Sequence, residues 1–286
     1  MGWSVARCTN WEIHTHIYIY SWETFYARSL SNLNPESKDN PEPTNNDYDN
    51  DSNSDNDNDN DESDDEDPGT SWFKEHNAPQ KVLELLTSDE FPLSPTTTQS
   101  QENGQGQGQG QPSILDLGTG NGSMLALLRR GGFGGKMVGV DYSRGSVELA
   151  RALHPAPVSG PGPGIRFEEW DILNAEPGDW FPAHGFDMVL DKGTFDAVSL
   201  SDEGDGVKRV CERYPRIAAG LVRRGGFLVV TSCNWTETEL KRWFLPASGG
   251  DDADALEVWG RVEYPVFKFG GMEGQGVCTV CFQRVR

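Results

Sequence analysis

The stretch Ser113-Ile114-Leu115-Asp116-Leu117-Gly118-Thr119-Gly120-Asn121-Gly122-Ser123 decides the fold of this chain. Its apolar residues, with one acid among them, predict a short strand that is buried on both faces of a sheet. The three glycines predict a sharp turn in which the main chain can approach a ligand closely, because glycine has no Cβ. Residues 124–130 then predict a helix that ends at the glycine pair 131–132. A strand, a glycine turn and a helix form half of a nucleotide-binding crevice.

The spacing of the glycines argues against a nicotinamide dinucleotide as the ligand. The dinucleotide pattern is G-x-G-x-x-G, but here the third glycine falls one residue early and Ser123 stands in the last position. The pattern D-x-G-x-G-x-G resembles the first motif of the S-adenosylmethionine-dependent methyltransferases, whose ligand has an amino-acid end and no pyrophosphate. An ordinary glycine-rich turn is the alternative interpretation. The residues of this turn that we expect to bind the cofactor are Asp116, Gly118, Gly120, Asn121 and Gly122.

Acids at the ends of the next two predicted strands complete the expected cofactor site. Residues 136–141 predict a strand that ends in Asp141, and an acid about 20 residues after such a turn binds ribose hydroxyls. Asp141 could instead contact the start of the following helix. We expect its neighbour Tyr142 to bind the cofactor too. The strand over 165–171 ends in Asp171, which with Ile172 suits the adenine edge; an ordinary loop acid is the alternative.

Later segments repeat the alternation of strands and helices, which predicts a doubly wound, Rossmann-like α/β sheet. The strands are expected at 186–191, 227–231, 258–267 and 276–285, and the helices at 145–153, 208–222 and 236–244.

Composition divides the chain into a folded domain and segments outside it. Residues 1–20 are expected to be a disordered extension, and 21–33 a helix that packs on the core or covers the cofactor. Residues 34–68 are too acidic and too poor in apolar residues to order, and form a disordered insert. The methyltransferase domain is expected over 69–286, with a flexible Gly/Gln-rich loop at 93–112.

Charge and cysteine content limit the function classes. The net charge is −21, and the part outside the acidic insert is only mildly acidic, which disfavours direct nucleic-acid binding and favours a basic protein partner. Five scattered cysteines do not form a disulfide framework. No run has transmembrane length and the start does not have the pattern of a signal peptide. We therefore expect a cytoplasmic protein, with the nucleus as the alternative, that is monomeric and has no metal site or membrane contact.

Two further stretches carry a specific resemblance. Leu190-Asp191-Lys192-Gly193-Thr194-Phe195-Asp196-Ala197 and Thr231-Ser232-Cys233-Asn234-Trp235-Thr236-Glu237 resemble the family that methylates a lysine of translation elongation factor 1-alpha. Further matches are Ser21-Trp22 with Tyr26 and Leu30, Trp72-Phe73, and Phe269-Gly270-Gly271 with Gly274-Gln275-Gly276. The resemblance implies a seven-stranded methyltransferase sheet, S-adenosylmethionine as the methyl donor, and elongation factor 1-alpha as the protein substrate.

Four residues are the candidates for the catalytic step. Asp191 follows the fourth strand beside the expected methyl group, and we expect it to contact the cofactor and orient the substrate amine. Lys192 is the second candidate, with an internal salt bridge as its alternative role. Phe195 and Trp235 are expected to form the walls of a lysine channel. No residue is an obvious dedicated base, so positioning would do most of the work.

Three other functions are consistent with parts of the sequence. A methyltransferase for another protein or for a small molecule would share the cofactor site. A non-catalytic module could use the acidic insert to hold a basic partner. A nicotinamide oxidoreductase is the third, and Ser123 argues against it.

Overall fold

A computed structural model shows a single large sheet flanked by helices. The described residues are 11–33, 76–97, 110–156, 163–200, 210–245, 256–265, 267–269, 272–274 and 276–285. The strands are β1 (Ile114–Leu117), β2 (Met137–Asp141), β3 (Ile165–Glu169), β4 (Phe186–Lys192), β5 (Val222–Ser232), β6 (Leu256–Val262), β7 (Phe267–Phe269), β8 (Met272–Gly274) and β9 (Cys278–Arg284). The helices are α1 (Trp11–Leu33), α2 (Ala78–Thr87), α3 (Ser123–Arg130), α4 (Arg144–Leu153), α5 (Thr194–Leu200), α6 (Val210–Leu221) and α7 (Glu237–Phe244). The predicted acidic insert lies outside the described residues.

The sheet has seven strands in the order β3-β2-β1-β4-β5-β9-β6, which confirms the predicted fold. The first five strands in this order, β3, β2, β1, β4 and β5, pair in parallel, whereas β9 lies antiparallel between β5 and β6. The strand order reverses direction at β1 and β4, so the carboxyl ends of these two strands border the crevice where ligands bind in such sheets.

Alternate residues of each central strand point into two separate cores, one on each face of the sheet. In β1, Ile114 belongs to one apolar cluster and Leu115 to the other, as the period of two in a strand requires. In β5 the same alternation places Phe227 and Val229 on one face and Leu228 on the other. Burial on both faces explains the nearly continuous apolar sequence of these strands.

The first helix differs from its expected boundaries. It begins at Trp11 instead of residue 21, so residues 11–20 belong to the helix and do not form a separate extension. No glycine or proline interrupts residues 11–20, and each residue added to a formed helix costs little because it gains a hydrogen bond. The helix packs against α4, as expected, where Gly145 permits the approach: a Cβ there would lie 3.2 Å from the Cβ of Tyr26.

Two local features near the end of the chain also differ from expectation. Strand β5 begins at Val222, directly after α6, whereas the sequence predicts a helix through residue 222 and a strand only from residue 227. Gly225 has a φ of 75°, and the pairing with β4 shifts register between Phe186 and Met188, so the early part of β5 is irregular. A separate two-stranded sheet of β7 and β8 was not predicted. The helix predicted over 236–244 is confirmed as α7, and Thr236 and Glu239 form a capping box at its start.

Candidate active site

The turn after β1 is held in a conformation that glycine permits and other residues resist. Gly118, Gly120 and Gly122 have φ values of 58°, 57° and 76°, which lie in the left-handed region. Between them, the Thr119 amide donates a hydrogen bond to the Val140 carbonyl of β2 at 2.9 Å. The glycines therefore trace an open main-chain loop that is anchored to the neighbouring strand.

Two side chains from other elements lie directly against this turn. A Cβ on Gly118 would lie 2.2 Å from the Thr194 hydroxyl, which itself donates to the Leu117 carbonyl at 2.6 Å. A Cβ on Gly120 would lie 3.3 Å from the Tyr26 hydroxyl of α1. Helix α5 therefore packs against the turn at Gly118, and the N-terminal helix α1 approaches it at Gly120.

Asp116 is a buried acid inside the strand that leads into the turn. Its Oδ2 accepts a hydrogen bond from the Thr119 hydroxyl at 2.8 Å. Burial raises the pKa of Asp116 to about 6, although the Lys192 ammonium and the Thr119 hydroxyl act in the opposite direction. At neutral pH the group is mostly ionised, so it suits a ligand that carries an ammonium group.

Asp141 ties the tip of β2 to the glycine turn. Its Oδ2 accepts from the Gly120 amide at 3.0 Å and from the Ser146 hydroxyl at 2.8 Å, and its Oδ1 accepts from the Ser143 amide at 3.0 Å. The structure therefore shows the alternative role, a contact at the start of α4, where Ser143 is the N-cap. Binding of ribose hydroxyls by Asp141 stays a prediction. Burial raises the pKa of Asp141, and the three donors oppose that rise.

Aromatic residues of α1 and of the β2 tip border the same site. Tyr26 is buried, its ring stacks on Trp22 with centroids 5.8 Å apart, and burial beside Asp141 raises its pKa. Tyr142 is 47% exposed, and partial burial together with the charges of Asp141 and Glu23 raises its pKa to about 12. The predicted covering role of the N-terminal helix is consistent with this position of Tyr26.

The remaining residues of the predicted cofactor site already have local partners. Asp171 is exposed, and its carboxylate accepts hydrogen bonds from its own loop: from the Leu173 amide at 2.9 Å and from Asn174. This geometry is that of the loop acid considered as the alternative. Ile172 packs partly against the core. The Asn121 side chain accepts from the Ser123 amide at 3.1 Å, at the start of α3.

Asp191 occupies a different position from the one expected of a substrate contact. It is only 1% exposed, and it accepts hydrogen bonds from the amides of Thr194 and Phe195 and from the Tyr214 hydroxyl at 2.7 Å. The side chain therefore closes the start of α5 and points into the protein. Burial raises the pKa of Asp191 to about 7, although these donors stabilise its ionised form.

The other three catalytic candidates divide between core and surface. Phe195 is 1% exposed and packs among Tyr214, Trp235 and other aromatic rings, a position that does not fit the wall of an open channel. Trp235 is partly exposed, and its indole nitrogen donates to Ser199 at 3.1 Å. Lys192 ends β4 between Asp116 and Asp191, whose charges oppose the lowering of its pKa by burial. This placement matches the internal ion pair considered as its alternative role.

Several residues that organise the site were missed in the sequence. All of them bond to residues in or at the ends of β1, β2, β4 and β5, and they are Thr119, Ser146, Thr194, Asp196 and Tyr214. Thr194 and Asp196 stand inside the stretch that resembles the lysine methyltransferases, so that stretch was the available signal. Tyr214 lies in a helix of ordinary amphipathic pattern and offered none.

Two clefts lie at the opposite ends of the strands, where arginine side chains join neighbouring elements. One of about 350 Å³ and one of about 490 Å³ share Arg223. Arg223 forms an ion pair with Asp187, and Arg284 donates to the Gly220 and Val222 carbonyls at the end of α6. These arginines join β4, β5 and the end of α6, far from the carboxyl ends of the strands.

The geometry of the crevice fits S-adenosylmethionine. Side chains of other elements pack so closely against the three glycines that Cβ atoms would obstruct the turn, and two buried carboxylates, Asp116 and Asp141, lie at neighbouring strand tips near enough to influence each other. Acids suit the ammonium group and the ribose hydroxyls of this ligand, and the turn has no third spaced glycine for a pyrophosphate.

Comparison with known proteins agrees with this fit. Residues 110–271 match the family described as "Methyltransferase domain". Protein-lysine N-methyltransferase EFM4 of Saccharomyces cerevisiae is 36% identical over 217 residues, which cover 76% of this chain and 83% of that protein. EEF1A lysine methyltransferase 2 of Danio rerio is 34% identical over 60% of this chain and 66% of that protein. The Homo sapiens protein of the same name is 29% identical over 77% and 78%.

Sheet order, glycine turn and flanking acids define a methyltransferase with a Rossmann-like fold. Within that class, the chain belongs to the family of protein-lysine N-methyltransferases that contains EFM4 and EEF1A lysine methyltransferase 2. Among the helices that the structure describes, none combines the length and the apolar character needed to cross a membrane.

Proposed function

We propose that this chain methylates a side-chain nitrogen of a lysine in translation elongation factor 1-alpha. The observation that carries the proposal is the extended similarity to relatives whose names state this reaction, EEF1A lysine methyltransferase 2 of Danio rerio and of Homo sapiens. The similarity to yeast EFM4, over 83% of that protein, supports lysine as the modified residue.

The open turn and its acids are the donor site in this proposal. S-adenosylmethionine supplies a methyl group on a positively charged sulfur. The main chain of Gly118–Gly122 would hold the donor, with Asp116 and Asp141 facing its ammonium and ribose groups. Tyr26 closes the turn from the side of α1, and Tyr142 borders it. Contact of Asp171 and Ile172 with the adenine edge stays a sequence-based prediction, which the Asp171→Ala variant tests.

The acceptor side lies at the tips of β4 and β5. A lysine amine must lose its proton before it can accept a methyl group, and removal from water lowers its pKa. The partly exposed ring of Trp235 offers an apolar wall for the lysine stem. Asp191 acts in this proposal by shaping the turn after β4, because its carboxylate is buried and already bonded. Alignment of the amine then contributes most of the acceleration.

We also propose that the enzyme works as a monomer in the cytoplasm, or alternatively in the nucleus, without direct contact to nucleic acid or membranes. The acidic net charge of −21 supports the absence of contact with nucleic acid and membranes, because phosphate backbones and anionic lipids repel such a surface.

Methyl transfer from labelled S-adenosylmethionine to purified elongation factor 1-alpha tests the function. We expect label in the factor, mass spectrometry that places it on lysine, and loss of the label when that lysine is replaced by arginine. The matched control is Gly118→Ala, which disturbs the donor turn. A wild-type chain that binds the donor but leaves elongation factor 1-alpha unlabelled would contradict the substrate. Label on another protein of a cell lysate would then identify the true substrate.

A further inference from the structure

Helix α5 is bonded to the tips of three neighbouring strands. The Thr194 hydroxyl donates to the Leu117 carbonyl of β1 at 2.6 Å, and Asp191 of β4 accepts the first amides of the helix. At the other side, Asp196 accepts from the Ser232 hydroxyl of β5 at 2.5 Å. One short helix therefore connects the glycine turn with the loop that carries Trp235.

The anchor of this helix depends on a residue from α6. The Tyr214 hydroxyl donates to Asp191 Oδ2 at 2.7 Å, and Tyr214 is fully buried. Its ring stacks on Phe195 with centroids 5.6 Å apart. Tyr214 therefore fixes the carboxylate of Asp191 at Oδ2, the oxygen that also accepts from the Phe195 amide at 3.2 Å.

The charges around Asp191 make this hydrogen bond consequential. Asp196 on α5 and Tyr214 on α6 act directly on Asp191. Asp191 in turn acts on Lys192 of its own strand, and Asp116 on β1 acts on both Lys192 and Tyr214. Burial raises the pKa of Asp191 to about 7, and the Tyr214 hydrogen bond is the largest of the contributions that lower it. Loss of that hydroxyl would raise the pKa further, and a protonated carboxyl cannot accept hydrogen bonds from all of its donors.

We propose that Tyr214 is a positioning residue for methyl transfer. Tyr214 holds the Asp191 carboxylate in the position where it accepts the first amides of α5. The position of α5 then sets the distance between the donor turn and the loop of Trp235. Tyr214 acts through Asp191 and not by contact with the reacting atoms, because its hydroxyl is buried in the core. The inference rests on the proposed function and adds a residue to it.

The test compares two variants that each lose one buried hydroxyl and keep the ring. In Tyr214→Phe, the lost hydroxyl bonds to Asp191; in the control Tyr264→Phe, it lies 2.7 Å from the Thr279 hydroxyl of β9. We expect Tyr214→Phe to lower kcat about tenfold and to change the KM for S-adenosylmethionine by less than about twofold. The acid side of its kcat–pH profile should move to higher pH, while Tyr264→Phe keeps the wild-type profile.

Equal kcat values and equal pH profiles for the two variants would overturn the inference. If Tyr214→Phe does not fold, Ser232→Ala replaces it, because this change removes the hydroxyl by which β5 reaches Asp196. The same loss in kcat at constant KM supports the inference, and an unchanged kcat contradicts it. Failure of the proposed function would appear differently, as a wild-type chain that leaves elongation factor 1-alpha unmethylated.

Discussion

Two turns at the tips of adjacent strands are built in opposite ways. After β1, the chain uses three glycines with positive φ, so the main chain at these positions carries no side chain. After β4, the Asp191 carboxylate fills its own turn and takes the amides of Thr194 and Phe195 as partners. Both turns carry acids beside a Rossmann-like crevice, but the first is built on glycines, whereas the acid of the second is already bonded within its own turn. The second serves as support for the first, since Thr194 lies against Gly118.

This difference teaches that an acid at a strand tip is not by itself a ligand contact. Its burial and its existing partners decide between a binding role and a capping role. Asp116 has one hydrogen bond from Thr119, whereas Asp191 accepts from two amides and a tyrosine hydroxyl.

Gly118→Ala should abolish most donor binding. The new Cβ would lie 2.2 Å from the Thr194 hydroxyl, and φ of 58° is unfavourable for alanine, so the turn must shift. A cost of about 2–3 kcal/mol corresponds to a loss of affinity on the order of a hundredfold. Calorimetric titration with S-adenosylmethionine measures it. In the control Gly220→Ala, the Cβ meets nothing within 4 Å and affinity should stay at the wild-type value. Unchanged binding by Gly118→Ala would remove the glycine turn from the donor site.

Asp141→Asn should weaken both the donor site and the fold. The carboxylate accepts from Gly120, Ser143 and Ser146, and an amide nitrogen in place of one oxygen would oppose at least one of these donors. We expect about a tenfold loss of donor affinity and a loss of about 1–3 kcal/mol in the free energy of unfolding. Calorimetry and urea unfolding measure the two effects. A stability loss with intact affinity would assign Asp141 to the start of α4 alone.

Asp191→Asn should change how stability depends on pH. Burial raises the pKa of Asp191 in the folded chain to about 7, so the folded state holds this proton more tightly than the unfolded state does. Its contribution to stability is present at acid pH and is lost as the pH rises through 7. The wild type should therefore lose stability relative to the variant between pH 5 and pH 8, by roughly 2–3 kcal/mol, because each pH unit below the folded pKa contributes about 1.4 kcal/mol.

Urea unfolding at several pH values measures this change, with Asp187→Asn as the matched control. Burial acts to raise the pKa of Asp187, but hydrogen bonds from Ser113 and the Arg223 ion pair lower it overall. Its contribution is lost only in acid, so the difference from wild type should stay constant between pH 5 and pH 8. A constant difference for Asp191→Asn as well would contradict the assigned environment of Asp191.

Asp171→Ala should have the smallest effect. Its exposed carboxylate bonds to Leu173 and Asn174 in its own loop, and loss of such local contacts should change donor affinity by less than about twofold. Competition with S-adenosylhomocysteine measures this affinity. A loss of about fivefold or more would restore the adenine contact predicted from the sequence.

The glycine turn and the sheet could be predicted from the sequence because their signals are local. Left-handed turns require glycine, and strands buried on both faces require runs such as Ile114–Leu117. The direction of a side chain at a strand tip is not local. Phe195 and Asp191 point inward because α6 brings Tyr214 against them, and that contact joins residues 23 positions apart.

The predicted starts of α1 and β5 were wrong for a related reason. Residues 11–20 were placed outside the fold because they are aromatic and β-branched, but an existing helix extends through such residues at low cost. The basic and glycine residues 223–226 resembled a helix end, and pairing with β4 made them part of a strand instead. In both cases a neighbouring element overrode the local preference.

Donor affinity and turnover measured together in Gly118→Ala and Asp191→Asn test the division between the two turns most directly. Gly118→Ala should lose affinity for S-adenosylmethionine, whereas Asp191→Asn should keep it within about threefold and lose kcat. The same loss of affinity in both folded variants, with no separate effect on kcat, would contradict this division.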